Sequence, residues 1–232
     1  MKCKYFYLTI IFIFVINAIS AQNNVKSDRQ SCKVGGVNIF VPSPNDDLIE
    51  IGFDNREKME IFVPTENRLI CSFLSKSDNN ALTEGGDMVM TTYAFVEVPR
   101  RGEYVNCSQD DFQEVIKGAK ESFGDKIASS FKESEDEINR RMKALDLTSI
   151  QIGDTKQLGP LFSKKDVFSF GMLTSVKNEI RSCNLIISGI VLRVKSKLLF
   201  LYLYTEYKNE ESIKWIGTTS EKWTDLFFKA NR

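Results

Sequence analysis

Apolar and polar residues alternate most regularly in residues 166–207, and this pattern predicts three consecutive β-strands. Residues 166–176 alternate between two faces, as a strand does when one face packs on a core. Residues 185–194 are almost continuously apolar, which is typical of a central strand covered on both faces. Residues 198–207 form the third strand. Since residues 195–197 are too few for a crossover helix, we expect the last two strands to be antiparallel neighbours.

Shorter apolar segments elsewhere predict the rest of a sheet. We expect further strands at residues 37–41, 48–51, 68–74, 88–98, 149–154 and 157–163. The first of them ends at Pro42, because proline cannot donate the backbone hydrogen bond that continues a ladder. The strands at 68–74 and 88–98 are expected to be antiparallel. A long exposed loop, rich in Ser, Asp, Asn and Gly, is predicted between them at residues 76–87.

Helical periodicity is clearest in residues 108–123, where apolar residues recur every three to four positions. A second helix is expected at residues 126–145, and its many charged residues are interpreted as a solvated face. A shorter helix at residues 54–62 would begin with Asp54 and Glu57, which have the spacing of a capping box.

The C-terminal residues predict a last helix that covers the sheet. Thr218 and Glu221 also have capping-box spacing. Ile213 and Ile216 predict one or two preceding turns of helix, bent or broken at Gly217. Trp215 and Trp223 are interpreted as large side chains that anchor the helix on the sheet.

The order of these elements predicts an α+β fold with a mainly antiparallel sheet and helices packed on it. We expect one domain at residues 35–232, because the sequence shows no internal repeat and no second boundary. Residues 22–34 are polar and lack periodicity, which predicts a flexible lead-in to that domain.

Residues 1–21 have the pattern of a cleaved export signal. Lys2 and Lys4 precede an apolar segment at residues 5–16, and small residues up to Ala21 suit a cleavage site there. The apolar segment is shorter than the ~20 residues that a membrane-spanning helix needs, which favours cleavage over an anchor. We therefore expect an exported protein, periplasmic or extracellular, without a membrane span after cleavage.

The charge balance and one missing residue type restrict the function classes. The chain has 31 Lys and Arg, 31 Asp and Glu, and no histidine. A neutral balance without a basic cluster argues against a nucleic-acid partner. Without histidine, Ser-His-Asp and Cys-His catalysis are excluded, and the commonest zinc ligand is missing. We expect no metal and no cofactor, and the sequence contains no recognisable catalytic motif.

Four cysteines remain after the signal: Cys32, Cys71, Cys107 and Cys183. Export would permit disulfides, and three full pairings are open. Their wide spacing, without any C-x-x-C, argues against a Cys₄ zinc site. Cys71 lies in an apolar strand and equally suits a buried thiol.

A resemblance to known proteins rests on residues 36–44, 64–70 and 197–202, together with Trp215 and Trp223. These segments resemble a group of exported hypothetical proteins from Bacteroidetes-type bacteria. The resemblance covers nearly all of the chain after the signal and implies no activity and no catalytic residue. The order of elements is separately similar to that of the PsbP-like fold, which implies a sheet-and-helix sandwich and carries no function.

Three functions are compatible with this pattern. The first is a non-enzymatic accessory or binding module whose partner is an envelope protein, with Glu66, Asn67 and Arg68 as the contact patch. The second is a carboxylate-dependent hydrolase of envelope or extracellular glycans, which requires two carboxyl groups about 5–10 Å apart. The third is a carrier of a small apolar ligand, which requires an apolar cavity between helices and sheet.

Overall fold

A computed structural model describes residues 30–84, 90–122, 125–179 and 181–232 of the chain. The predicted export signal at residues 1–21 lies outside the described residues. Within these ranges no helix is long and apolar enough to cross a membrane.

The described strands pair antiparallel throughout, which confirms the predicted α+β fold. An eight-stranded sheet has the order β3-β4-β5-β10-β9-β8-β6, with β7 also paired to β8, and β1 and β2 form a separate hairpin. The strands are β1 (Gln30–Val34), β2 (Val37–Val41), β3 (Leu48–Glu50), β4 (Asn67–Ser75), β5 (Thr92–Pro99), β6 (Gln151–Ile152), β7 (Lys156–Lys164), β8 (Val167–Lys177), β9 (Ser182–Val194) and β10 (Lys197–Glu206).

The centre of the sheet is the stretch that the alternating pattern selects, β8 to β10. Strand β9 is buried on both faces, as its continuous apolar sequence predicts, with Ile186 and Ile187 each at most 1% exposed. Lys195 and Ser196 turn β9 into β10 with φ angles of 48° and 59°. Two consecutive left-handed residues make the tight turn whose twist matches antiparallel strands.

Helices cover both faces of this sheet. They are α1 (Phe53–Glu60), α2 (Lys76–Thr83), α3 (Gln109–Ser122), α4 (Asp125–Ala144) and α5 (Glu210–Ala230). Helix α5 packs on one face against the β10 leucines Leu199, Leu201 and Leu203. Helices α1 and α3 pack on the opposite face, where Phe112 of α3 is fully buried.

Helix α5 differs from its prediction around Gly217. It begins after Asn209, whose side chain accepts a hydrogen bond from the backbone N–H of Glu211 at 2.9 Å, and it runs without a break through Gly217. The turns predicted before Gly217 are confirmed. The predicted break at Gly217 and the predicted cap at Thr218 are wrong, because the Asn209 cap and an apolar stripe that includes Ile216 support one continuous helix.

The two tryptophans of α5 have different environments. Trp223 is fully buried, packs edge-on against Phe73 at 6.2 Å between ring centroids, and donates its indole N–H to the carbonyl of Pro42 at 2.8 Å. It is the anchor that the sequence predicts. Trp215 is 37% exposed, so its predicted role as a second anchor is wrong.

The predicted flexible lead-in is wrong for residues 30–34. These residues form β1, in which exposed Ser31 and Lys33 alternate with half-buried Cys32 and fully buried Val34. Every residue of β1 pairs with one of β2. The alternation is the ordinary signal of a strand, but it covers too few residues to be distinctive.

Two further local predictions need correction. The loop predicted from residue 76 begins with α2, since the Ser75 hydroxyl accepts from the N–H of Asp78 at 3.1 Å and Leu82 is buried. Helix α1 has Gly52 at its N-cap position and no side-chain cap, so the N-cap predicted at Asp54 is two residues late.

Candidate functional site

A cavity of about 360 Å³ lies between α4 and the sheet face opposite α5. Its described walls come from β5, β8, β9, β10, α4 and the segment between α1 and β4. We call it the α4 cavity. Most of its lining is aromatic or aliphatic, including Phe62, Tyr93, Phe95, Phe170, Tyr202 and Tyr204.

Strand alternation decides which residues reach this cavity. In β5, Tyr93, Phe95 and Glu97 face the cavity, while the intervening Ala94 and Val96 pack in the core beneath α5. Strand β10 divides in the same way, with its tyrosines towards the cavity and its leucines towards α5. The two faces of β5 and β10 therefore differ, with small and aliphatic residues towards α5 and a ring-rich wall towards the cavity.

Helix α4 is attached by polar contacts beside the cavity. The Asn139 side chain exchanges two hydrogen bonds of 2.8 Å with the backbone of Ile150, next to the edge strand β6. On the other side, Arg141 donates to the carbonyls of Ile61 and Val63 at the end of α1, at 3.4 and 2.8 Å. Because these contacts hold α4 at its flanks, the space between the helix and the aromatic wall stays open.

The aromatic wall is a continuous cluster of rings. Tyr93 and Tyr204 stack with centroids 4.3 Å apart and planes at 10°. The ring of Phe95 lies 5.5 Å from Tyr93 and 5.8 Å from Tyr204. Burial raises the pKa of Tyr93 and of Tyr202, so both phenols stay protonated at physiological pH.

Glu97 is the acid in this wall. It is 1% exposed, and its Oε2 accepts a hydrogen bond from the Asn67 side chain at 2.8 Å. Burial raises the pKa of Glu97 to about 7, and the hydrogen bond from Asn67 opposes that rise only in part. At neutral pH the carboxyl group therefore carries a partial charge in apolar surroundings.

The opposite end of the cavity contains an ion pair. Arg181, after the β8–β9 turn, contacts Glu206 at 2.7 Å. Glu97 pairs with Phe200 of β10, six residues before Glu206 on that strand. At ~3.3 Å per residue, roughly 20 Å separates the two ends. The described lining thus places an unpaired acid at one end and a neutralised cation at the other.

A separate groove of about 390 Å³ lies beyond the C-terminal part of α4. Arg100, Arg140 and Arg141 line it together with Glu57 and Glu60. Arg140 and Arg141 both pair with Glu137 on their own helix, and the Nη2 of Arg141 is buried without a hydrogen-bond partner among the described residues. The groove mixes both signs of charge and selects no single ligand class.

The residues predicted as a contact patch do not form one surface. Glu66 is exposed, but Asn67 is turned towards Glu97. Arg68 pairs with Glu103 and donates to the carbonyl of Lys33 at 3.0 Å, and its hydrogen bonds lower the pKa of Glu103. Two of the three side chains thus have internal partners. A role for the patch in binding a protein stays a prediction.

The four cysteines are free thiols, spread over the fold. The Sγ of Cys32 lies 3.9 Å from the carbonyl of Ile70. The pKa of the Cys71 thiol is raised, first by burial, then by the nearby Glu50, and to a smaller extent by the nearby Cys32. Cys107 and Cys183 lie in other clusters, and burial raises the pKa of both. The structure therefore brings Cys32 and Cys71 together, while a disulfide stays a prediction.

No protein-family model and no curated protein sequence matches the chain. Among solved structures, it is similar to the Ran-binding protein Mog1p of Saccharomyces cerevisiae, with 9% identity over 88% of this chain and 92% of that one and a TM-score of 0.31. It is also similar to the cyanobacterial PsbP (CyanoP) of Synechocystis sp. PCC 6803, with 10% identity over 84% of this chain and 91% of that one and a TM-score of 0.31. At these scores we draw no argument from either similarity.

The cavity residues were not selected by the sequence analysis, although one signal for them exists. Glu97 occupies the third of three alternate positions in β5, after Tyr93 and Phe95, in a strand that is otherwise apolar after Thr92. An acid in register with buried rings is expected to be buried itself. In the α4 cavity, a glycan hydrolase would need a second carboxyl group beside Glu97, and the described lining of this cavity holds no other.

Proposed function

We propose that the protein is an exported, non-enzymatic binding module that holds a small, mainly apolar molecule in the α4 cavity. The cavity itself carries this proposal. An apolar cavity of about 360 Å³ with a few polar groups is the usual form of a small-molecule site. Its volume equals that of about a dozen water-sized groups, which suits a molecule of similar heavy-atom number.

A homologous series of primary alcohols tests this proposal. Each added methylene that becomes buried contributes about 0.8 kcal/mol, or about a fourfold increase in affinity per carbon. We expect this increase in isothermal titration up to about ten to twelve carbons, followed by a plateau when the cavity is full. No binding at any chain length, or affinity that rises without a plateau as in partition onto a surface, would contradict the proposal.

A variant that fills the cavity locates the site. Ile138→Trp places a larger side chain in the cavity from α4, where Ile138 is only half-buried and the sheet is undisturbed. We expect this variant to shorten the chain length at which affinity stops rising. Leu226→Trp is the matched control, because Leu226 is 41% exposed on α5, on the opposite face of the sheet. Equal titrations for the two variants would place the ligand elsewhere.

The export part of the proposal is supported by the sequence of residues 1–21 alone. It is tested by expressing the full chain in a Gram-negative host and determining the N-terminus of the product in each cell fraction. We expect a product that begins near Gln22 in the periplasm or medium. A full-length product that remains in the cytosol would contradict export.

A further inference from the structure

We infer that the α4 cavity selects ligands in which an apolar body carries an amine cation, with the cation seated at Glu97. This inference rests on the proposed function and specifies the chemistry of the same site.

The first observation is a buried carboxyl group without a cation. One oxygen of Glu97 accepts a hydrogen bond from Asn67, and no described residue forms an ion pair with this carboxyl group. The side chain is 1% exposed and yet lines the cavity. A buried carboxylate is strongly destabilised unless a cation or several donors compensate it. A cation brought by the ligand would supply that compensation.

The surrounding elements do not supply a cation themselves. Arg56 of α1 donates to the carbonyl of Leu69, the cross-strand partner of Glu97, and Arg141 of α4 donates to the carbonyl of Val63. From β10, the groups that interact electrostatically with Glu97 are the phenols of Tyr202 and Tyr204, which are neutral at physiological pH. On β4, the neighbour is the uncharged amide of Asn67.

The second observation is the set of rings along the same wall. Tyr93, Phe95 and Tyr204 form a cluster with centroid separations of 4.3 to 5.8 Å, on the same face of β5 and β10 as Glu97. Aromatic faces attract ammonium groups, and most strongly where water is excluded. A carboxylate beside a cluster of rings therefore favours an alkylammonium group over a neutral or anionic head.

An anionic ligand has a poorer match in the described lining. Besides Glu97, the charged residue in this lining is Arg181, which is paired with Glu206 at the far end of the cavity. A fatty acid would have to break that ion pair or share a proton with Glu97. Sharing a proton is the competing possibility, because a protonated Glu97 can donate to a carboxylate.

The test compares decylamine, decan-1-ol and decanoate by isothermal titration, each below its micelle concentration. These three ligands share an apolar chain and differ only in the head. At pH 8 we expect decylamine to bind at least about tenfold more tightly than decanol, the effect of one buried charge pair. Because the pKa of Glu97 is about 7, this advantage should fall about tenfold between pH 8 and pH 6.

The variant Glu97→Gln assigns the effect to this residue. We expect it to reduce the affinity for decylamine to that for decanol at pH 8, and to remove the change in the amine advantage between pH 8 and pH 6. Glu66→Gln is the matched control, since Glu66 is an exposed acid just before β4. Near-UV circular dichroism of both variants reports whether the fold is intact.

The outcomes separate the inference from the proposed function. Tighter binding of decanoate than of decylamine, or an amine advantage that persists in Glu97→Gln, would overturn the inference while leaving the cavity as a ligand site. Equal binding of the three ligands would overturn it as well. Failure of all three to bind the wild-type protein would instead contradict the proposed function.

Discussion

Replacing Glu97 by glutamine is expected to stabilise the ligand-free protein above pH 7 and to leave it almost unchanged near pH 4. Burial raises the pKa of Glu97 from an ordinary 4.5 to about 7 in the folded state. The folded protein therefore retains a proton that the unfolded chain releases between these two pH values. The stability of the wild-type protein must decrease across this interval as pH rises.

The magnitude follows from the same two pKa values. A shift of this size corresponds to about 3 kcal/mol once Glu97 is ionised in both states. Glutamine has no charge to bury, and its side-chain carbonyl can still accept the hydrogen bond that Asn67 now donates at 2.8 Å. We therefore expect Glu97→Gln to be more stable than wild type by up to about 3 kcal/mol at pH 8, with a small difference of either sign at pH 4.

Urea unfolding followed by far-UV circular dichroism at pH 4, 6 and 8 measures this difference directly. Glu66→Gln serves as the control, because an exposed acid should change the free energy of unfolding by less than about 0.5 kcal/mol at every pH. If Glu97→Gln destabilised the protein equally at pH 4 and pH 8, the carboxyl group would not be buried in its charged form. The electrostatic argument for the cavity would then be refuted.

Two further substitutions test the packing around the sheet. Trp223→Phe should lower the free energy of unfolding by about 2–3 kcal/mol, because it leaves the buried carbonyl of Pro42 without its hydrogen-bond donor. Trp215→Phe should change that free energy by less than about 0.5 kcal/mol. Similar losses for the two variants in thermal unfolding would contradict the assignment of Trp223 as the anchor. Gly189→Ala would place a methyl group 2.3 Å from the ring of Phe170. We expect it to lower the free energy of unfolding by about 1–3 kcal/mol and to weaken alcohol binding, because the ring moves towards the cavity. Unchanged stability and unchanged binding would show that the ring has room elsewhere.

The parts of the fold that were predicted correctly depend on local patterns. Strands β8 to β10 alternate over long segments, and the short turn at Lys195 and Ser196 leaves antiparallel pairing as the only simple connection. Where the pattern is short, prediction failed. Strand β1 has only five residues, and it is held as a strand by pairing with β2 rather than by its own composition. In the same way, α2 depends on the Ser75 cap and on the burial of Leu82, in a segment whose polar composition suggests a loop.

The position of the α4 cavity and its lining residues were not predicted, for a different physical reason. Periodicity shows which face of a helix or strand is apolar, but it contains no information on the distance between two apolar faces. That distance is set here by contacts between residues far apart in sequence, such as Arg141 with the carbonyl of Val63 and Asn139 with the backbone of Ile150.

The sequence nevertheless contains a feature that distinguishes a cavity wall from a core. On the α5 side, β5 and β10 present small and branched aliphatic residues that interdigitate with a helix. On the α4 side, the same strands present tyrosines and Glu97, whose polar ends have no place in a dry, close-packed core. A strand with aliphatic residues on one face, and with amphipathic rings and an acid on the other, therefore predicts that the second face lines a cavity. In this chain, that pattern of alternate positions would have selected Glu97.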